Sequence, residues 1–500
     1  MQNVSCPSCG APVQFRSHAS VMAVCEYCKA SILKDADSVQ NLGTMSDVLE
    51  DYSPIQIGTT GVFGALGFTV IGRIQLQYSA GTWNEWYLLF DDGLVAWLGD
   101  SSGLFTLTTE KTGGKNLPKF SDILPSQNYR IGGKNFIAAE VRSARCIAGQ
   151  GELPFRVGQG WPIKVADFRS EASFLSLDYS DLIVATTDPN SITPTASLEI
   201  GEPKVYSGQA VSLTQLKCQL LRDDDAIKES AGKFPGKLTP LECPSCGSAV
   251  NYVPGLTSHL RCPSCQSQLD TTGPTAQVLA AGNRMARVDT SLELGAKAVV
   301  SGKPYQIIGL MKRCDDENTE WTEYLLYNAS AGFFWLIETD EGWARAKVLS
   351  EWPAWTQSDT ATLGNQSYKK LYDYTARVIF AAGAFNWRVN LGDRINVTEF
   401  QFGQNKIAAE VNAQEMTWSL ASPVSADQIQ AWFGNKIPAH KESLEPTPKS
   451  IARKFIIWTL VINAIPLFMA FGDIWIWVLL AVAAIYYPAK FLSPLSDYEV

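Results

Sequence analysis

The chain repeats itself, and that repeat limits every fold it can adopt. Cys6-Pro-Ser-Cys9-Gly10 returns as Cys243-Pro-Ser-Cys246-Gly247, and Cys25-x-x-Cys28 returns as Cys262-x-x-Cys265, both 237 positions on. The same offset carries Gly58 onto Gly295, Val70-Ile71-Gly72 onto Ile307-Ile308-Gly309, and Tyr87-Leu88-Leu89-Phe90 onto Tyr324-Leu325-Leu326-Tyr327. After a one-residue slip, Trp97-Leu98 meets Trp335-Leu336. Beyond that the offset becomes 232: Gly151 to Val157 meets Gly383 to Val389, and Ile163 to Phe168 meets Ile395 to Phe400. So many ordered matches make the protein a tandem duplication.

Each copy reads as mainly β. Phe68–Tyr78, Trp86–Phe90, Leu94–Leu98, Ile163–Phe168 and Phe174–Asp178 are short, partly alternating and rich in β-branched or aromatic residues. Asp91-Asp92-Gly93 between two apolar runs is a hairpin signal, because Asp-Gly supplies the positive φ that a tight turn needs. A small barrel or sandwich per copy follows. Helix is expected only in the joints, at Met45–Asp51 and Pro274–Asp289. The implied plan is a ribbon at 1–35, a helical linker at 36–52, a β-domain at 53–222 and a linker at 223–241. The second copy has a ribbon at 242–270, a helical linker at 271–290 and a β-domain at 291–433. A Pro-containing tether at 434–450, an apolar hairpin at 451–492 and a tail at 493–500 complete it.

Both cysteine clusters have the spacing C-x2-C-x15-C-x2-C. Two cysteines on one tight knuckle direct both thiolates at a single ion, and a second knuckle completes a tetrahedral sulfur shell. Cys6, Cys9, Cys25 and Cys28 are the expected ligands of one structural Zn2+, and Cys243, Cys246, Cys262 and Cys265 those of a second. Four ligands leave no open position for water, so the expected role is structural. His18 and His259 are read as surface residues.

Phe455–Phe471 carries no charge, Gly472-Asp473 follows, and Ile474–Tyr487 is again uncharged up to Pro488. That is too long for one span, which takes about twenty residues. It reads as two transmembrane helices in a hairpin over 451–492, turning at Gly472-Asp473; a re-entrant wedge and a buried soluble helical hairpin are the alternatives. Arg453, Lys454 and Lys490 flank the apolar stretch with no Lys or Arg between, so both ends face the cytoplasm. With no signal-peptide pattern at Met1, the soluble domains are expected on the cytoplasmic side of a bacterial inner membrane. The net charge of −9 gives no electrostatic footprint for nucleic acid, and none is expected as a partner.

No nucleophile elbow or phosphate-binding glycine loop occurs. Candidate acids are Glu85, Asp91, Asp92, Glu152 and Asp167. In register by letters, Glu85 falls opposite Thr322, Asp91 opposite Asn328 and Glu152 opposite Ala384. Only Asp167 keeps its charge, as Glu399. The first functional reading is therefore a membrane-anchored adaptor that recruits partner proteins and uses tandem domains for avidity. Trp343, Trp352 and Trp355 would be either its docking surface or core. The alternative is an enzyme or small-molecule sensor with a polar pocket in copy one, around Glu85, Asp91, Asp92 and Glu152.

The run Glu85-Trp86-Tyr87-Leu88-Leu89-Phe90-Asp91-Asp92-Gly93, with Trp97-Leu98, Gly151-Glu152-Leu153-Pro154-Phe155 and Leu177-Asp178-Tyr179, resembles the uncharacterised bacterial family of tandem domain of unknown function 4178 proteins. Copy two departs from the pattern, with Glu323-Tyr324-Leu325-Leu326-Tyr327 and Gly383-Ala384-Phe385-Asn386-Trp387. The resemblance implies a compact β-rich domain, an association with membrane proteins in an envelope-associated system, and no established catalytic residues.

Overall fold

The computed structural model describes residues 2–434 apart from 35–38, 46–52, 157–159, 186–197, 224–242, 249–258, 271–276, 281–289, 329–330 and six single positions, together with 455–456 and 471–492. Two compact units result, residues 1–439 and 440–500.

In the first unit each copy closes into an eight-stranded antiparallel barrel. Copy one uses β1 (Leu66–Gln77), β2 (Thr82–Phe90), β3 (Val95–Ser101), β4 (Leu104–Lys111), β5 (Lys134–Leu153), β6 (Pro162–Ser170), β7 (Ser173–Asp178) and β8 (Lys204–Val211). Copy two repeats them as β9 (Lys303–Cys314), β10 (Glu320–Asn328), β11 (Gly332–Thr339), β12 (Gly342–Val348), β13 (Gln366–Phe385), β14 (Arg394–Phe402), β15 (Asn405–Val411) and β16 (Met416–Val424). Each barrel is two four-stranded meanders, sealed where β4 meets β8 and β1 meets β5, and likewise where β12 meets β16 and β9 meets β13.

The seam strand explains the shared glycines. Residues Ile137–Arg145 of β5 pair with β6, and after a register shift between Cys146 and Ala148 the strand pairs with β1 through Gly151. Gly151 has φ +66° and sits so close to β1 that a Cβ would lie 2.2 Å from the Ile71 carbonyl oxygen. Gly383 repeats this at φ +88°, 2.4 Å from the Ile308 oxygen. No side chain fits either place.

The ribbons extend these barrels. Met22–Val24 pairs with the end of β5, and His259–Arg261 with the end of β13. Two of the expected helical linkers carry strands instead. Val39–Thr44 pairs with Ala30–Lys34, and Gln277–Ala280 pairs with Gln268–Asp270. Each ribbon edge offers unpaired backbone groups, and the following segment satisfies them by adding a strand. Residues 46–51 of the first expected helix lie outside the described residues.

The two copies share a core. Ile137 and Ala139 of copy one pack in one cluster with Trp352, Phe400 and Trp418 of copy two. Val141 donates its backbone N–H to the Gln414 carbonyl at 2.9 Å, and Arg142 bonds Glu415 at 3.0 Å. Trp343 and Trp352 are each 6 % exposed, so these two belong to cores. A helix α1 (Ala426–Phe433), opened by a Ser425/Gln428 capping box, buries Ile429 against copy two.

In the second unit, α2 (Phe471–Leu492) is continuous through Gly472-Asp473 and through Pro488. The sequence placed a turn at Gly472-Asp473, which instead lies inside the described helix. Most of the expected helix over Phe455–Phe471 lies outside the described residues. Among the described residues, no helix is long and apolar enough to cross a membrane.

Candidate functional site

Each ribbon gathers its four cysteines. In the first, the Sγ atoms of Cys6 and Cys28 are 3.6 Å apart and those of Cys9 and Cys25 3.7 Å. In the second, Cys243 and Cys265 are 3.7 Å apart, Cys246 and Cys262 3.8 Å. A disulfide would hold the sulfurs near 2.05 Å. A tetrahedral shell with metal–sulfur bonds near 2.3 Å holds them about 3.8 Å apart. The observed spacing is that of a closed S4 hole, and both groups are able to hold a metal ion. The knuckle geometry supports it: the Gly10 N–H reaches the Cys6 carbonyl at 2.8 Å with Gly10 at φ +74°, and Gly247 repeats this on Cys243 with φ +71°. Burial opposes the thiolate of Cys6, yet the amides of Ser8 and Cys9 outweigh it and lower the thiol to about 7.

The four acids proposed for a pocket separate. Asp91 and Asp92 are exposed at the β2–β3 turn, where the Asp92 carboxylate accepts the Leu94 N–H at 3.0 Å; they shape a turn. Glu152 is 4 % exposed but faces the ribbon. It accepts from the Arg16 N–H at 2.8 Å, the Ser17 N–H at 3.1 Å and the Ser20 hydroxyl at 2.8 Å. Glu152 is thus a clasp between ribbon and barrel. Glu152→Ala leaves buried donors unmet and is expected to cost about 2–4 kcal/mol. Hydrogen exchange should then show the Arg16 and Ser17 amides losing protection, while amides in β3 and β4 keep theirs.

Only Glu85 reaches a cavity. That cavity, of about 170 Å³, occupies the lumen of the copy-one barrel. Its wall includes Val348, Leu349, Trp352, Met416, Thr417 and Trp418 from copy two. Five carboxyl groups line it, Glu85, Asp100, Glu140, Asp167 and Asp178, against two guanidinium groups, Arg142 and Arg169. Trp97, Phe155 and Trp161 form an aromatic side, with ring centroids 5.7 Å and then 5.2 Å apart.

The electrostatics are those of crowded buried acids. Burial pushes the Glu85 carboxyl up to about 8; the Trp83 Nε1–H, 2.9 Å away, opposes this, and the charges of Asp167, Asp100 and Asp178 add to it. Glu140 rises to about 7 through burial, against the pull of Arg142 at 2.9 Å. Burial raises Asp167 and Asp178 as well, and lowers Arg169. The sequence reading found Glu85 and Asp167. It missed Asp100, Glu140, Arg142, Arg169 and Asp178, whose signal was charge set within otherwise apolar strands.

Copy two also corrects the acid comparison. In β10, Glu323 sits opposite Met311, as Glu85 sits opposite Ile74, and Gly309 faces Leu325 as Gly72 faces Tyr87. Glu85 therefore corresponds to Glu323, not Thr322. Both take the same hydrogen bond from a tryptophan two residues before, Trp83 at 2.9 Å and Trp321 at 2.7 Å. The letter match failed because the loop before β10 has one more residue than the loop before β2. A shift of one flips every side chain to the other face.

Comparison with curated proteins and with solved structures finds no match for this chain. The family model described as "Domain of unknown function (DUF4178)" matches residues 56–212 and again residues 293–426, the two barrels in turn. The chain belongs to the DUF4178 family and carries two of its domains in tandem.

Proposed function

We propose that the protein is a membrane-tethered module that binds a small molecule in the lumen of its first barrel and passes occupancy to partner proteins. The observation that carries this reading is the cavity itself. Pockets that bind small molecules are concave, largely apolar and furnished with a few convergent polar groups, and the mouths of β-barrels are common places for them. Perturbed carboxyls in a cleft point the same way. The polar pocket beside Glu85 favours the sensor over the adaptor built on exposed tryptophans. Binding is preferred to catalysis because the lining, among the described residues, holds no histidine or cysteine, and its hydroxyls meet only acids whose ionisation burial opposes.

Each tetracysteine group is assigned one Zn2+ in a structural role, supported by the sulfur spacing. The C-terminal segment is assigned to a bilayer on the cytoplasmic face. Its support is α2, whose Ile476, Trp477, Leu480 and Tyr487 are each more than half exposed.

The test uses the full chain, gently solubilised from native membranes and then denatured. Mass spectrometry should find a small molecule released in stoichiometric amount. Gly99 lines the cavity where copy two has Ile337, so Gly99→Ile fills the lumen and should release none. Equal release from both proteins, or none from either, overturns the reading. In the same preparations a chain ending at Ser450 should leave the membrane fraction; if it stays, the tether lies elsewhere.

A further inference from the structure

The two lumens differ by one exchange at their centre. In copy two, Nη1 of Arg313 lies 3.0 Å from Glu410 and 3.5 Å from Glu323, in a site where all three side chains are largely buried. Burial opposes the Arg313 charge, and the two carboxylates outweigh it and hold the guanidinium protonated. Arg313 pairs across its neighbouring strands with Trp321 and Val378. In copy one the residue in that place is Leu76, which pairs with Trp83 and Cys146 and lines the cavity.

Both carboxyls that Arg313 bridges are nonetheless retained. Glu323 is Glu85, as the hairpin register shows. Glu410 is Asp178, because Val397 faces Glu410 as Val165 faces Asp178. The bulky neighbour Ile337 has become Gly99. Copy one thus keeps the two acids, lacks the cation and has gained room.

Nor does a nearby cation replace it. Arg142 pairs with Glu140 at 2.9 Å and Glu415 at 3.0 Å, and lies over the Tyr78 ring at 4.3 Å. Arg169 lies over Phe174 at 4.7 Å, and Lys204 pairs with Asp181 at 2.6 Å. Among the described residues no ion pair reaches Glu85 or Asp178. Trp83 donates to Glu85 at 2.9 Å, the Ser180 amide donates to Asp178 at 2.8 Å, and the Lys204 charge favours ionised Asp178. Among the described residues nothing bridges the two carboxyls, and a matched cation relieves the cost of holding them together. The aromatic side formed by Trp97, Phe155 and Trp161 favours an organic cation, since ring faces attract positive charge and accept apolar stems.

We propose that the first barrel binds a small organic cation, an alkylguanidinium or alkylammonium, whose charged head takes between Glu85 and Asp178 the place that Arg313 holds between Glu323 and Glu410. The assignment rests on the reading of this lumen as a ligand site. The stem lies along Leu76 and the aromatic wall, and the head bonds both carboxylates, as guanidinium groups do in paired geometry. Binding requires ionised acids, so a proton leaves the site as the cation enters.

The test is calorimetric titration of the detergent-solubilised full chain at pH 8 with n-propylguanidinium, the Arg313 side chain as a free molecule. Titrations with n-butylammonium and neutral n-butyramide accompany it. Saturable binding of one cation per chain is expected, with a heat that changes with the buffer's ionisation enthalpy. Glu85→Gln keeps the shape of the site and should weaken binding at least tenfold, and so should Asp178→Asn. Leu76→Arg should abolish binding and raise the melting temperature, because it rebuilds the copy-two ion pairs in copy one. Equal binding of n-butyramide, an unchanged affinity in Glu85→Gln, or a lower melting temperature in Leu76→Arg each overturns the cation. Should neither cation bind while the native protein still releases another small molecule, the cation assignment falls and the lumen remains a ligand site. If nothing binds and nothing is released, both readings fall together.

Discussion

Replacing Cys25 by Ser is expected to empty the first metal centre and unfold the ribbon around it. Cys25 is fully buried, and the cluster it belongs to is small: Cys6, Val13, Phe15, Ala23, Ala30 and Ile32 beside it. So few apolar groups cannot offset the entropy of ordering some thirty residues at about 1–2 kcal/mol each. A closed zinc centre supplies about 10 kcal/mol or more, so loss of one ligand removes most of what holds the ribbon. Elemental analysis of the purified chain should fall from two metal ions to one, and amides across Met22–Lys34 should lose exchange protection. Cys146→Ser is the control, because Cys146 is buried but outside both centres. Unchanged metal content in Cys25→Ser would exclude the tetracysteine group as the binding site.

The second large effect is a loss of stability as pH rises. Glu85 holds its proton up to about 8 in the folded chain, against an ordinary value of 4.5. Below 4.5 both folded and unfolded chains carry the proton, and Glu85 contributes no pH dependence. Between 4.5 and 8 the unfolded chain releases it and the folded chain keeps it, so folding weakens as pH rises. Above 8 the loss is complete, at about 3–5 kcal/mol for this group. The groups around it are Asp100 on β3, Glu140 and Arg142 on β5, Asp167 and Arg169 on β6, Asp178 on β7 and Tyr206 on β8. Glu140, Asp167 and Asp178 are shifted in the same direction and steepen the decline. Denaturant titrations from pH 5 to pH 8.5 should show this fall in the ligand-free protein, and Glu85→Gln should flatten part of it. A stability that climbs with pH over that range would mean that Glu85 is ionised throughout.

Much of this molecule could be read from its letters, for definite reasons. Cysteine spacing is set by knuckle geometry, so the two tetracysteine groups able to hold a metal ion were legible. The repeat was legible because Gly72, Gly151 and Gly383 lie where strands touch too closely for a Cβ. Barrel closure was not, because two alternating meanders look the same in a sandwich. The site was half legible. Glu85 was found, but it was thought lost in copy two because Tyr-Leu-Leu matches Tyr-Leu-Leu more readily than Trp-x-Glu matches Trp-x-Glu. The second motif is the one that hydrogen bonds preserve, at Trp83 and Trp321. Glu152 misled for another reason: a buried carboxylate that meets backbone amides of a neighbouring ribbon carries the same letters as one in a pocket. The strands at Val39–Thr44 and Gln277–Ala280 depend on sheet edges elsewhere in the chain, which local propensity does not see.

The cluster that joins Ile137 and Ala139 to Trp352, Phe400 and Trp418 also bears on how such a protein can be inherited. Duplicated domains linked only by a tether can be lost, shuffled or exchanged singly, because each carries a whole interior. Here the later copy supplies part of the earlier one's wall, and a gene rearrangement that removed it would leave the first lumen unwalled on that side. The two halves are free to diverge in what their interiors hold, as Leu76 and Arg313 have. They are bound to descend together.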